Sequence, residues 1–320
     1  MAGGKGTVVA ALDVGSSKVS CFIARLSESG GVRVEGIGHQ LSEGVRAGAI
    51  VDMEKAANSI RAAIDQAERM AGATIRHVLV NLSAGMPESE AVHVEVKIAG
   101  HQVGEADIRR ALAEGRRQAE TYDREVVHAI PVTYSIDGSR GIRDPRGMHG
   151  NLLGVDIHVV TAAAGPLHNL RLCLGQGHLG IAGIVVSSYA SGLSTLVEDE
   201  RDMGATLIDM GGGTTSIGVY MEGDLVFSDV IPLGGNHITQ DIARGLLTPM
   251  KHAERLKTLH GSALRSASDD RESISVVHVG ENGKQSQIMP RAMLSGVIQP
   301  RVEEIFEAVR DRLISTGFDR

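Results

Sequence analysis

The same short turn occurs twice in this chain, and it constrains the fold more than any other feature. Leu12-Asp13-Val14-Gly15-Ser16-Ser17-Lys18 lies near the start, and Ile208-Asp209-Met210-Gly211-Gly212-Gly213-Thr214-Thr215 lies well into the second half. In each copy an apolar run ends on an aspartate, turns through glycine and hydroxyl residues, and enters a second strand-like run. Glycine has no Cβ, so its backbone takes positive φ and approaches a ligand closely, and successive N–H groups can then point into one concavity and hold a phosphate. The aspartate cannot bind phosphate itself. It can hold a hydrated Mg²⁺, an ion that keeps its waters and takes only one or two carboxylates. The doubled turn therefore reads as two phosphate clamps around a Mg-nucleotide, with Lys18 adding a point charge. The alternative is two ordinary hairpin turns, because Gly, Asp and Ser are common turn residues; two copies with matched flanking strands favour phosphate binding.

The surrounding pattern repeats as well. Strands over Thr7 to Leu12, Lys18 to Leu26 and Val32 to His39 form a meander. A helix follows, with Met53, Ala56, Ala57, Ile60, Ala63, Ile64, Ala67, Met70 and Ala71 at helical spacing, Asp52 as N-cap and Gly72 as stop. A strand over Arg76 to Leu82 comes next. In the second half Ala205 to Asp209, Thr215 to Met221 and Asp224 to Ile231 repeat the meander, followed by a helix with Ile238, Ile242 and Leu246 in steps of four. Between Gly85 and Val160 the first half carries material the second does not copy: a strand-like Ala91 to Ile98, a helical run from Glu105 to Thr121, and a Gly-, Asp- and Pro-rich segment from Asp137 to Leu153. A second insertion falls between Gly234 and Gly296, with Thr248 as N-cap and Pro249 at the first position of a helix, then a polar loop from Ser266 to Ser273.

Composition fits two α/β lobes and excludes several partners. The 320 residues, 42% hydrophobic and 22% charged, suffice for two cores. A net charge of −7, 2% aromatic residues and no Trp leave no basic stripe and few stacking platforms, so no nucleic-acid partner is expected. Cys21 and Cys173 lie in apolar segments and read as small core residues in a reducing compartment. The apolar run Val8 to Leu12 is too short for a signal-peptide core. The uncharged window from His178 to Val197 has the length of a membrane span but is rich in serine and glycine. It reads as a buried strand, Ile181 to Val186, and a helix from about Ser188, as cap, to Glu198. Thirteen histidines show no His-x-x-x-His pair and the cysteines no Cys-x-x-Cys, which argues against zinc.

The double hairpin is the mark of the actin and sugar-kinase superfamily. Three further segments make the chain resemble the FtsA family of bacterial cell-division proteins: Gly141-Ile142-Arg143-Asp144-Pro145-Arg146-Gly147-Met148-His149-Gly150, Gly183-Ile184-Val185-Val186-Ser187-Ser188-Tyr189-Ala190-Ser191, and Leu233-Gly234-Gly235-Asn236-His237-Ile238-Thr239. The resemblance implies an α/β, actin-like ATPase fold made of duplicated ribonuclease-H-like halves with inserted subdomains. Residues 1–84 and 164–199 would be the first half, 85–163 an inserted SHS2-like subdomain, 200–233 and 297–320 the second half, and 234–296 its insertion. It implies ATP and Mg²⁺ as ligands. Gly15, Ser16, Ser17 and Lys18 would form the first phosphate loop and Gly211, Gly212, Gly213, Thr214 and Thr215 the second, with Asp13 and Asp209 holding Mg²⁺ through water. Gly234, Gly235 and Asn236 would sit at a helix start whose free N–H groups favour an anion. Glu254 and Lys257 would reach the ribose or adenine edge. Alternatives stay open: Asn236 as a plain N-cap, Glu254 and Lys257 as a solvated helix face, His237 as local packing.

The partners implied are the C-terminal tail of the tubulin-like FtsZ, further copies of the chain in actin-like filaments, other divisome proteins, and the inner membrane, whose cytoplasmic face at the division site is the expected location. The internal repeat predicts that the second half is incomplete. Its helix with Val302, Ile305, Phe306, Val309 and Leu313 is followed by no counterpart of the strand Ile181 to Val186 and its closing helix. In the family that piece carries a glycine motif against the adenosine and, at the extreme end, an amphipathic membrane helix. Weakened nucleotide affinity and no autonomous membrane tether are the corresponding expectations. Two rivals share the superfold: a pilus or chaperone ATPase, and a metabolite kinase using a carboxylate such as Asp156 or Asp229 as base. Neither explains Asp144-Pro145 and Gly147-Met148. No residue is singled out as a catalytic base, so hydrolysis is left open.

Overall fold

In the computed structural model, residues 6–83, 85–280 and 286–318 are described. They form two compact units, 6–209 with 216–230, and 210–215 with 231–318. The expected boundary at residue 84 and the chain ends lie outside the described residues.

In the first unit, period-two alternation gives β1 (Thr7–Val14), β2 (Lys18–Leu26) and β3 (Val32–Leu41), an antiparallel meander whose buried face carries Ala10, Leu12, Val19, Cys21 and Ile23. The two-residue strands β4 (Val45–Arg46) and β5 (Ala49–Ile50) lead into α1 (Met53–Ala71). The helix ends are those the sequence predicts. Asp52 Oδ1 accepts from the Lys55 N–H at 3.1 Å, and Gly72 takes the left-handed conformation at φ 63° with its N–H on Glu68 O. The apolar stripe of α1, including Ala56, Ile60, Ala63, Ile64 and Ala67, is buried against this sheet. The contact is backbone-close: a Cβ on Gly38 would lie 1.7 Å from Ala63 O, and one on Gly36 2.2 Å from Ala67 O.

After β6 (His77–Leu82), parallel to β1, the chain enters its insertion: β7 (Glu88–Lys97), α2 (Glu105–Ala119), β8 (Arg124–Ile136), β9 (Ser139–Ile142) and β10 (Leu152–Ala163). These strands form a separate sheet in the order β7-β10-β8-β9, with its own core of Val92, Val94, Ile98, Ile108, Ala111, Leu153, Val155 and Ile157. The chain then returns through α3 (Ala164–Gly175) and β11 (Gly180–Val186), completing a five-stranded sheet β11-β6-β1-β2-β3. Cys21 and Cys173 are free and buried in the core of this sheet, where burial pushes the Cys21 thiol up to about 11.

Two short helices follow, α4 (Ser187–Thr195) and α5 (Glu198–Met203), where one helix to Glu198 was expected. Glu198 opens the second helix instead, because the backbone is extended at Leu196 and Val197. Ser188 is not the cap either. It lies inside α4, 1% exposed, with its hydroxyl 2.7 Å from Ser228 Oγ. β12 (Ala205–Met210), β13 (Thr215–Met221) and β14 (Asp224–Ile231) form the second meander.

In the second unit, α6 (Gly235–Gly245), α7 (Met250–His260), the hairpin β15 (Ser273–Val277) with β16 (Ser286–Pro290), and α8 (Arg291–Thr316) enclose Ile238, Ile242, Leu246, Ala253, Leu256, Ile274, Val276, Leu294 and Ile298. Thr248 does not cap α7. Its hydroxyl donates to Val277 O at 2.6 Å, and the helix starts one residue later, after Pro249. α8 is a single 26-residue helix that runs through Pro300, and Phe306 on it is 47% exposed rather than part of a buried face. Arg301 holds α8 to α6 through both oxygens of Asp241, at 2.6 and 3.2 Å. Among the described residues no helix is long and apolar enough to cross a membrane.

Candidate functional site

In the first unit the turn after β1 is closed by the Gly15 N–H on Lys18 O at 3.0 Å. Neighbouring loops tie it down: the Gly48 N–H donates to Ser16 Oγ at 2.9 Å and the Ser42 N–H to Ser17 O at 3.1 Å. Just before the turn, Asp13 lines a cavity of about 550 Å³ together with Asn81, Ser187, Ser191, Ser194 and Asp209. The two strand-end aspartates therefore face one space. Burial, the Asp209 carboxylate and, in the opposite sense, the Lys18 ammonium act on Asp13, and the net effect raises its pKa above the ordinary carboxylate value. A charge in that position is destabilised by its surroundings and would be stabilised by a cation, so the pair suits a hydrated divalent ion.

Asp209 has a tether, and the main chain next to Asp13 another, neither of which was expected from the sequence. The Val14 N–H donates to Asn81 Oδ1 at 2.7 Å, and Asn81 Nδ2 donates to Ser187 Oγ at 3.2 Å. Ser191 Oγ donates to Asp209 Oδ2 at 2.7 Å. A signal for the serines was present, since Ser187, Ser191 and Ser194 recur at i, i+4 and i+7 and so share one helical face. Asn81 has no comparable signal.

In the second unit the Gly211–Thr215 turn is closed by the Gly211 N–H on Thr214 O at 2.8 Å, and Thr215 Oγ1 donates to Leu233 O at 2.8 Å. The head of α6 departs from expectation. The N–H groups of Gly234, Gly235 and Asn236 are not free for an anion. Gly235 donates to Gly211 O at 2.9 Å, Asn236 to Gly212 O at 2.7 Å, and Gly234 to His237 Nδ1 at 3.1 Å. Glycine is required at 234, where a Cβ would lie 2.5 Å from Gly211 O. His237 thus acts as the acceptor that reaches back to the N-cap, a specific capping role.

Glu254 and Lys257 meet on α7. Lys257 Nζ lies 2.7 Å from Glu254 Oε2 and donates to Gly235 O at 3.0 Å and Thr239 Oγ1 at 2.8 Å, so it turns inward and is not on a solvated face. Thr239 Oγ1 donates to Glu254 Oε2 at 2.5 Å. Burial of Glu254 works against ionisation, but the hydrogen bonds from Lys257 and Thr239 outweigh it and hold the carboxyl below its ordinary range. Among the described residues no group of three or more His, Cys, Asp or Glu is placed to hold a metal by direct ligation.

Comparison with known proteins agrees with this architecture. The family model "Cell division protein FtsA" matches residues 206–313, and "SHS2 domain inserted in FTSA" matches residues 85–161. The chain is 45% identical over 322 residues to Cell division protein FtsA of Rhizobium meliloti (strain 1021), covering 97% of this chain and 73% of that protein. The chain belongs to the FtsA family. The Escherichia coli (strain K12) member is 32% identical over 307 residues, covering 96% of this chain and 73% of its own. Among solved structures, the PilM-PilN type IV pilus biogenesis complex superposes with a TM-score of 0.61 at 15% identity, over 97% of this chain and 77% of that one. The fold of this FtsA-family chain is the actin-like ATPase fold.

The insertion of this FtsA-family chain is fastened to the rest of the first unit by a buried polar node. Ser89 Oγ on β7 donates to Ser228 O and accepts from the Ser228 N–H, both at 2.7 Å, and lies 3.0 Å from His158 Nε2 on β10. Ser228 Oγ meets Ser188 on α4, whose carbonyl also accepts from Tyr220 OH at 3.0 Å. The helix that carries Ser187 and Ser191 is thereby fixed from behind. Because the Asp13 carboxylate is held against burial and against Asp209, Asp13→Asn is expected to raise the Tm of the ligand-free FtsA-family chain by about 2 °C. A thermal melt at neutral pH checks this; a fall in Tm would show that the charge has a stabilising partner.

Proposed function

We propose that this chain is a nucleotide-dependent cell-division protein that binds Mg-ATP and, through that state, recruits FtsZ. The observation that carries the nucleotide part is the convergence of Asp13 and Asp209, the aspartates that precede the two glycine turns, on one cavity of about 550 Å³. The family resemblance assigns Gly15, Ser16, Ser17 and Lys18 to the phosphates, and Gly211, Gly212, Gly213, Thr214, Thr215, Gly234, Gly235, Asn236, Glu254 and Lys257 to the same nucleotide. The hydrogen bonds at the head of α6 alter one role: Gly234, Gly235 and Asn236 shape the second turn by close packing, and do not offer their own N–H groups. Asp13 and Asp209 would hold Mg²⁺ through its waters, and the ion would supply charge neutralisation for the phosphates. This chain's own residues orient the ligand and exclude water.

The domain division goes with this reading: 1–84 with 164–199, the insertion 85–163, 200–233 with 297–320, and 234–296. The family match over 85–161 supports its insertion. FtsZ through its C-terminal tail, further copies of this chain, other divisome proteins and the cytoplasmic face of the inner membrane at the division site are the partners and place that membership of the FtsA family supports.

Two measurements test the proposal. Mg-ATP at about 100 times its Kd is expected to stabilise the protein by about 2.7 kcal/mol, read as an upward shift in melting temperature. In a lipid-free co-sedimentation assay, FtsZ is expected to carry the chain into the pellet, and excess FtsZ tail peptide to release it. A folded sample that shows neither a shift with Mg-ATP nor tail-dependent pelleting overturns the proposal.

A further inference from the structure

The parallel ladder between β1 and β6 runs through Ala11 with Leu79 and Leu12 with Val80. Beyond this, the strand end is held by a side chain: Asn81 Oδ1 takes the Val14 N–H at 2.7 Å, fixing the main chain next to Asp13. That donor sets the amide orientation, because an N–H must face the carbonyl oxygen, and Asn81 Nδ2 is left to donate to Ser187 Oγ. Ser187 is the first residue of α4, and Ser191 lies one turn on, on the same face, donating to Asp209 Oδ2 at 2.7 Å. One short helix is therefore linked to the main chain next to Asp13, through Asn81, and directly to the Asp209 carboxylate. The same helix is held from behind by the Ser188–Ser228 bond and by Tyr220. A Cβ on Gly192 would lie 2.0 Å from Tyr220 OH, so α4 has no slack toward β13.

We propose, resting on the nucleotide reading above, that Asn81 and Ser191 are positioning residues for the Asp13–Asp209 pair and a hydrated divalent cation, Asn81 by fixing the main chain next to Asp13 and Ser191 by orienting the Asp209 carboxylate. They act on the cation's carboxylates and not on the nucleotide. Coordination through water adds to the charge attraction a set of hydrogen bonds from the ion's waters to the carboxylates, and these weaken steeply when the acceptor is misplaced. Loss of either tether should therefore reduce the gain in ATP affinity that Mg²⁺ brings, and because both residues line the cavity, any change in metal-free binding is divided out by taking the ratio of affinities with and without the ion.

The test is calorimetric titration of the whole chain with ATP, once with Mg²⁺ and once with EDTA, the quantity read being the ratio of the two dissociation constants. Ser191→Ala is expected to cut that ratio by about tenfold, the usual value of a hydrogen bond to a charged group, and Asn81→Ala, which loses a bond to the neutral Val14 N–H, by about fivefold. Ser191→Thr keeps the hydroxyl and is expected to restore the wild-type ratio, which loss of helix packing alone would not do. Ser191→Ala sits on a partly exposed helical face, and keeps the test decisive if Asn81→Ala fails to fold. A wild-type protein whose ATP affinity does not depend on Mg²⁺ overturns the nucleotide reading and the positioning role with it. A wild-type protein that does depend on Mg²⁺, beside variants with an unchanged ratio, overturns the positioning role alone.

Discussion

Gly38→Ala is expected to destabilise the first unit by about 4 kcal/mol, near the upper end for a single substitution. The added methyl would meet the Ala63 carbonyl oxygen at 1.7 Å, and behind it the Ala63 carbonyl carbon at 2.7 Å and the Ala67 nitrogen at 3.0 Å. All three are backbone atoms of α1, so no rotamer change relieves the clash and the helix has to move off β3. Moving it opens the contact at Gly36, where a Cβ would lie 2.2 Å from Ala67 O, and exposes part of the core formed with Ile60, Ala63, Ile64 and Ala67. The edge of β3 suffers as well, because the His39 N–H donates to Gln66 Oε1 on α1 at 3.0 Å. Urea unfolding should show a large drop in midpoint. By contrast Gly30→Ala, at a position with φ 83° and no neighbour within 4 Å, should cost about 1 kcal/mol from backbone conformation alone. Equal costs at the two sites would mean that α1 adjusts freely.

The same glycines show what local sequence can and cannot convey. Helix α1 was legible end to end because its stripe, its Asp52 cap and its Gly72 stop all lie within the segment. That Gly36 and Gly38 exist to seat Ala67 and Ala63 was not, since the i, i+2 pair on a strand and the i, i+4 pair on a helix acquire meaning only together. β8 was missed for a different reason. Its residues Arg124 to Val132 are all partly buried and do not alternate, and the register slips where Pro131 stands opposite Ile157 and Thr133 opposite Asp156. At the candidate site the two hairpins could be read because their chemistry is contiguous. Asn81 could not, because its partner Val14 is 67 positions away. The head of α6 misled for the converse reason. A helix start with glycines looks like an anion site, and only the fold places the Gly211 and Gly212 carbonyls against its N–H groups.

Acidification should weaken the first unit well before its surface ion pairs are lost. His158 is 3% exposed, and burial, reinforced by the nearby His128, pushes its pKa down to about 4, although the Leu225 main chain favours the charged form. His128 is likewise lowered to about 4, by burial and then by the Arg116 guanidinium, with its ring 5.2 Å from that of Tyr189. Its Nε2 accepts the Val186 N–H at 3.0 Å, so protonation there would break a bond at the junction of β11 and α4. Both rings titrate near 6.5 when unfolded, so between pH 6.5 and 4 the unfolded chain binds more protons than the folded one. Stability from this source is complete above pH 6.5, falls as the pH drops, and is lost by pH 4. For a depression to about 4 the linkage relation gives about 2 kcal/mol per histidine between pH 7.5 and pH 5, about 4 kcal/mol for the two. The carboxyls lowered by ion pairing, such as Glu125 beside Arg171, start from an ordinary value of 4.5 and contribute only below that pH. Asp13, raised in the folded state by burial and by Asp209, acts in the opposite sense, upward from its ordinary value of 3.8. Urea titrations from pH 7.5 to pH 5 should therefore follow the histidines. His158→Gln and His128→Gln, which cannot take up the proton, are each expected to flatten about half of the slope even if they lower stability at pH 7.5. An unchanged slope in both would show that the protons enter elsewhere and that the node joining the insertion to α4 is indifferent to acid.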